Sequence, residues 1–209
     1  MMNFPGILAS DDHAHGIVDA TLAADKVVTG HYSLPETGAG LNAYAASGIR
    51  CCHESTRPED VIAKMRLGMY AQLRMGSAWQ DLPVIAKALT ETGIGGRFAC
   101  LVSDDTHPNT LVSHGHMDYI LRVAVENGID PITAIRMATI NTAQCYRMDQ
   151  DLGAIAPGKC ADIVLLKDLE TFRRRPHHSS TAKPSPSTEK MTRELAPYTT
   201  QTGHARASI

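Results

Sequence analysis

No stretch of this sequence approaches 18 uninterrupted apolar residues, about the length a helix needs to span a bilayer, so nothing in it reads as a membrane segment. It also lacks a charge excess. Twenty basic against 22 acidic residues leave a net charge of −2, which argues against a polyanion partner such as nucleic acid or an anionic membrane surface. Paired Cys-x-x-Cys spacing is missing, and the five cysteines, Cys51, Cys52, Cys100, Cys145 and Cys160, sit in apolar segments. That pattern predicts reduced, buried thiols. The first residues carry no basic region followed by an apolar run, and the chain reads as cytoplasmic. Its 209 residues suffice for one sizeable core but fall short of the roughly 250 typical of a whole eight-stranded α/β barrel.

What is present is alternation. Residues 17–24 read as helix and 25–30 as strand; 41–46 as a short helix followed by a strand from Gly48. A helix starts at Pro58, with Ser55 and Thr56 as capping candidates and Val61, Ile62, Met65 and Leu67 on its apolar face. Gly68 ends it, and 69–74 read as the next strand. Residues 79–92 are expected to be helical, with a turn at 93–96 and a strand from Arg97 to Asp104. Two further helices, 116–127 and 131–146, follow. This is the signature of parallel α/β units. Residues 152–166 read as a turn and a short apolar strand belonging to a small accessory β-structure. After Phe172 apolar periodicity gives way to Arg, Pro, Ser and Thr, which predicts a disordered tail.

Three apolar segments end in polar, metal-competent residues: the first in His31, the second in His53 and Glu54, the third in Asp104. Strand ends at a barrel rim are where such enzymes place their chemistry, and two imidazoles with a carboxylate suit a divalent cation. Other candidates carry blander readings. His13 and His15 fall in a solvated helix-entry loop. His107 and His114 flank the loop after Asp104, and His116 caps or enters the next helix. Asp105, before a turn proline, either orients Asp104 or a substrate amine or serves turn chemistry alone. Cys51 and Cys52 adjoin His53, but adjacent strand residues face opposite ways, so only Cys51 shares a face with that histidine.

Gly30–His31, Leu41–Tyr44, Gly48–Arg50, His53–Glu54, Ser103–Pro108, Gly115–Tyr119, Ala138–Ala143 and Gly153–Val164, in that order, resemble the bacterial adenine deaminases of the amidohydrolase superfamily. The resemblance runs from Met1 to about Phe172. It implies strands five to eight of a distorted (β/α)8 barrel over residues 1–148, a short return into a β-sandwich over 149–172, and a divergent or frame-shifted tail over 173–209. It also implies one or two divalent metals, manganese first and iron or zinc as alternatives, held by His31, His53 and Asp104. Asp104 would move the proton of the attacking water, and Glu54 would donate a proton or contact the ring. Substrates would be adenine and water, the products hypoxanthine and ammonia, in purine salvage. The full-length form would be a homo-oligomer, without nucleic-acid or membrane partners.

This sequence departs from the family pattern in several places. The family's first-strand His-x-His pair and fourth-strand bridging glutamate precede the segment matching Met1–Gly6, so strands one to four have no counterpart here. Cys52 stands where relatives carry aspartate and Thr106 where they carry arginine, and the loop from His31 to Gly40 is longer. A second reading is therefore a non-catalytic remnant, whose open half-barrel would expose strand edges and an apolar inner face and so associate. Another cyclic amidohydrolase, such as a dihydroorotase or amino-sugar deacetylase, is a third reading, disfavoured by the Leu41–Tyr44 and His53–Glu54 context.

Overall fold

The computed structural model describes residues 1–172, and the expected disordered tail over 173–209 lies outside them. Four short strands, β1 (Val28–Gly30), β2 (Ile49–Cys52), β3 (Tyr70–Arg74) and β4 (Ala99–Val102), form one parallel sheet in sequential order. Among the described residues ten α-helices surround it: α1 (Phe4–Leu8) and α2 (Asp12–Ala23) before β1, α3 (Ala39–Ala46) and α4 (Pro58–Arg66) in the next two crossovers, and α5 (Leu82–Ile85) and α6 (Lys87–Thr90) between β3 and β4. After β4 come α7 (Pro108–Ser113), α8 (Met117–Glu126), α9 (Pro131–Ala138) and α10 (Ile140–Cys145). Parallel neighbours must be joined by crossovers, so all four strands end on the same edge. This is the barrel-type succession expected from the alternation, and it gathers the polar strand ends on one rim.

Several local expectations are corrected. The cap of α4 is Arg57, whose N–H donates to the Asp60 carboxylate at 3.1 Å, as does that of Thr56 at 3.3 Å; Ser55 is engaged elsewhere. Leu67 lies past the end of that helix and is 38% exposed. The 79–92 segment breaks into α5 and α6, and the 131–146 segment divides at Thr139, whose φ of −125° and ψ of −93° leave helical space. Thr139 Oγ1 donates back to the Ile135 carbonyl at 2.6 Å, the local competition by which threonine disrupts helices. His13 and His15 lie in the first turn of α2 rather than in a loop. Within 152–166 no continuous strand forms, only isolated bridges at Cys160 and Leu166. No described strand runs beside this segment, and Ile163, Val164 and Leu165 are exposed.

The two faces of the sheet have different partners. Ala71, Leu73, Ala99 and Leu101 pack beneath α4, α5, α8 and α9 with Val61, Met65, Leu82, Ile120 and Met137, forming the main core. At the β1 side, Val28, Ile49 and Cys52 join Val18, Leu41 and Tyr44 in a second cluster. The register shifts between Val28–Ile49 and Thr29–Cys51, inserting one residue into β2, so Ile49 and Cys52 share a face despite their odd spacing. The opposite, inner face holds Cys51, Tyr70 and Cys100, buried against Cys145 at the end of α10. Gln72 donates to the Tyr146 hydroxyl at 2.9 Å, and Arg50 reaches the carbonyls of Cys145 and Gln144 at 2.8 and 3.0 Å. The inner face expected to lie open is therefore covered over β2 to β4 by α10, the last of the described helices. All five cysteines are free and four are buried as predicted, whereas Cys160 is only partly buried.

Candidate metal centre

The centre is assembled where the strand ladders stop. Gly30 ends β1 because a Cβ there would stand 2.5 Å from the Cys51 carbonyl oxygen and 2.7 Å from Ile49 Cγ2; its bareness lets β1 approach β2 closely. His31 follows, its N–H donating to the Tyr44 hydroxyl at 2.9 Å. From the end of β2 comes His53, whose Nε2 lies 3.2 Å from His31 Nδ1. One ring nitrogen donates and the other accepts across this contact. Glu54 Oε1 sits 3.3 Å from both nitrogens, and the ligand atoms of these three residues all lie within 4.8 Å of one another. Two imidazole nitrogens and one carboxylate oxygen converging at this spacing fit a divalent cation of the zinc, manganese or iron type.

Behind the three sits Arg74, the last residue of β3 and only 3% exposed. Its Nη1 donates to Glu54 Oε1 at 2.8 Å and to Asp104 Oδ2 at 3.1 Å, and its Nε donates to Asp81 Oδ2 at 2.7 Å. The Trp79 ring stacks with its centroid 5.0 Å from the guanidinium carbon. Burial works against the Arg74 charge, but the hydrogen bonds and charges of Asp81 and Glu54 prevail and hold its pKa above the ordinary guanidinium value. Asp104 takes a φ of +58°, the left-handed region that aspartate tolerates better than most residues. Burial is also the main cause that lowers the His53 pKa, with His31 and Arg74 adding to it against the opposing pull of Glu54 and Asp104. A histidine held neutral is a histidine able to donate a lone pair.

All four residues singled out in the sequence meet at one rim. Their neighbourhood differs from the expectation in one respect: Glu54, read as the proton donor, stands between the two imidazoles, whereas Asp104, read as a ligand, is tied to them through Arg74. The remaining candidates lie outside the group. Cys52 faces the helices, with its Sγ accepting from Tyr32 N at 3.2 Å, and Cys51 packs into the inner-face cluster. His15 contacts the Ile7 carbonyl at 3.2 Å. His107 and His116 are the N-caps of α7 and α8, and His114 ends α7 with its ring against Tyr119. Asp105 accepts the N–H groups of Ala78 and Trp79 at 2.7 and 3.4 Å, and these backbone hydrogen bonds hold its carboxyl below the usual range. It pins one rim loop to another. Thr106 Oγ1 is buried with no hydrogen-bond partner among the described residues.

Sequence reasoning missed Arg74 and Asp81. The signal for the first was available: a lone cation closing an otherwise uncharged strand that ends on the same rim as three metal-competent strand ends.

Imidazole and carboxylate groups on the C-terminal rim of a parallel sheet are an arrangement that metal-dependent hydrolases use, and the amidohydrolase family profile matches residues 1–201. The chain belongs to the amidohydrolase family. Within it, the chain is 67% identical over 173 residues to an adenine deaminase of Clostridium botulinum (strain 657 / Type Ba4), covering 83% of this chain and 29% of that protein. It is 57% identical over 169 residues to an adenine deaminase of Moorella thermoacetica, covering 81% and 28%, and 50% identical to adenine deaminase 3 of Rhizobium meliloti over 81% and 28%. The chain thus spans less than a third of these relatives. A crystal structure of an uncharacterised protein shares the fold, with a TM-score of 0.50 at 21% identity over 74% of this chain and 42% of that one.

Proposed function

We propose that this chain is the rim-bearing segment of an adenine deaminase, an enzyme that replaces the C6 amine of adenine with oxygen and releases ammonia. The observation that supports this reading best is the placement of Glu54 Oε1 3.3 Å from both His31 Nδ1 and His53 Nε2, in a chain so similar to proteins of that activity. His31, His53 and Glu54 would hold a divalent cation, manganese first. The cation supplies Lewis acidity, which makes water deprotonation accessible near neutral pH.

The chain's own residues do the rest. Asp104, on the far side of Arg74 and partly open to solvent, takes the proton of the attacking water. It returns that proton to the purine ring or to the departing amine, the two-way transfer a carboxylate general base performs. Arg74 hydrogen-bonds both carboxylates through one nitrogen and holds them in place, so neither must reorganise as charge develops. Asp105 ties the loop after β4 to the one after β3, closing the rim on that side. The family resemblance adds the finer parts of the reading: strands five to eight of the barrel, a β-sandwich return over 149–172, purine salvage in the cytoplasm, and a homo-oligomer in the longer protein.

A second reading exchanges the two carboxylates, with Asp104 as third ligand and Glu54 as proton donor. It is favoured by Asp104's place at the end of β4 beside His53, on whose pKa its charge acts. One pair of variants separates them. If the first holds, Glu54→Gln loses manganese binding in equilibrium dialysis, whereas Asp104→Asn keeps it but loses about 100-fold or more of any ammonia release from adenine. The reverse pattern establishes the exchanged roles. Wild-type protein that binds no manganese and releases no ammonia overturns both and leaves a non-catalytic segment.

A further inference from the structure

Lys64 is 2% exposed, in the last turn of α4, and takes part in none of the ion pairs formed among the described residues. A buried cation with no anion beside it carries a large desolvation penalty unless its three N–H donors are all satisfied. Here they are. Lys64 Nζ donates to the Tyr32 carbonyl at 3.4 Å, to Ser55 Oγ at 2.9 Å, and to the Glu54 carbonyl. These acceptors belong to the two segments that carry the metal centre, one residue beyond His31 and one and two residues beyond His53.

The position has a structural logic. The last paired residues of β1 and β2 are Gly30 and Cys52. Beyond them the backbone ladder ends, so no strand hydrogen bond sets the separation of His31–Tyr32 from His53–Ser55. Besides the contacts among the His31, His53 and Glu54 side chains themselves, the Cys52 thiol reaches across to Tyr32. The ammonium of Lys64 supplies the missing rung, bridging a carbonyl on each side.

We propose that Lys64 is a positioning residue for the metal centre: by cross-linking the Tyr32 and Glu54 carbonyls it sets the spacing of the His31, His53 and Glu54 ligand atoms. This rests on the metal reading above. Outer partners that orient metal ligands change affinity by about 10–100-fold when removed, and Lys64 acts on three candidate ligands together.

The test is manganese binding by the 209-residue chain and its Lys64→Met variant, which keeps the stem's bulk and removes the ammonium. Free Mn2+ is read by electron paramagnetic resonance, and the coordination geometry by visible absorption of the Co2+-loaded proteins. Circular dichroism confirms the folded fraction. The expected result is a manganese Kd weakened about 10–100-fold with an altered Co2+ spectrum, in a variant whose circular dichroism matches wild type. A folded variant with wild-type affinity and spectrum overturns the role of Lys64 while leaving the metal reading intact. A wild-type chain that takes up neither ion overturns the metal reading, and the role of Lys64 with it. If Lys64→Met does not fold, the decision passes to the wild-type chain with 15N-labelled lysine. Slower hydrogen exchange of the Lys64 ammonium on adding Zn2+ supports the proposal, and exchange unaffected by Zn2+ overturns it.

Discussion

At the scale of single residues, Arg74 sets the electrostatics of the rim, and it already occupies the flank of Glu54 that a cation would favour. Replacing it with methionine leaves the Glu54, Asp104 and Asp81 carboxylates facing one another without a counter-charge. The loss of one partner from a buried pair costs about 3–5 kcal/mol, and the partly solvated partners here place the expected destabilisation nearer 2–3 kcal/mol in urea unfolding of the metal-free chain. Added manganese should restore more stability to Arg74→Met than it adds to wild type, because it returns positive charge to the same carboxylates. Equal restoration in both proteins would remove Arg74 from the electrostatics of the site.

His53 makes a second prediction at this scale. Its pKa is lowered from 6.5, chiefly by burial. Between the lowered folded value and 6.5 the unfolded chain binds more protons than the folded one, so this residue makes stability rise with pH across that window. Below the folded value the penalty is complete, and above 6.5 it is absent. Urea midpoints at pH 5, 6 and 7 should climb in wild type and climb less steeply in His53→Asn. An unchanged slope in the variant would assign the pH dependence to other groups.

At the scale of elements, the rim depends on loops that are pinned rather than merely adjacent. The loop after β3 runs so close to the loop after β4 that a Cβ on Gly76 would stand 2.2 Å from Asp105 Oδ1, 2.4 Å from the Asp105 carbonyl oxygen and 2.6 Å from the Ser103 carbonyl oxygen. Two of these neighbours are backbone and cannot swing aside. Gly76→Ala should therefore cost about 1–3 kcal/mol, as overpacking does, and should displace the segment carrying Asp104. Chemical shifts of the Asp104 and Asp105 amides would report the movement, and a variant with wild-type shifts would refute the close approach. The helix and strand succession around these loops was legible from apolar periodicity, because three crossovers of ordinary length repeat the same pattern. The breaks within 79–92 and at Thr139 were not legible, since apolar spacing continues through both while the local backbone does not. The short strand expected within 152–166 is reduced to isolated bridges at Cys160 and Leu166, because an apolar run extends into a strand only beside a partner strand.

At the scale of the whole molecule, four parallel strands hold together because both faces of the sheet are covered, one by the crossover helices and the other by α10 with Tyr146. Arg50 fastens that cover through two charged hydrogen bonds to the carbonyls of Gln144 and Cys145, each worth about 1.5–3 kcal/mol at most where solvent is excluded. Arg50→Met should speed hydrogen exchange at the amides of residues 140–146 while leaving β3 and β4 protected. It should also promote concentration-dependent association, visible by light scattering, as Cys51, Tyr70 and Cys100 become accessible. Unaltered exchange over 140–146 would mean that packing alone retains the helix.

By itself the sequence determined the order of helices and strands, the burial of the thiols and the strand-end residues that meet at the rim. Those properties are written locally, in apolar periodicity and in the polar residue that follows each apolar segment. Tertiary structure alone decided which carboxylate stands between the imidazoles, because that depends on where Arg74 reaches from a neighbouring strand. It alone decided that a lysine in the last turn of a helix closes the gap above the β1–β2 ladder, and that α10 folds over the inner face. Each of these is a contact between elements distant along the chain, fixed by strand register and by the need to satisfy buried charge, and neither requirement leaves a mark in local spacing.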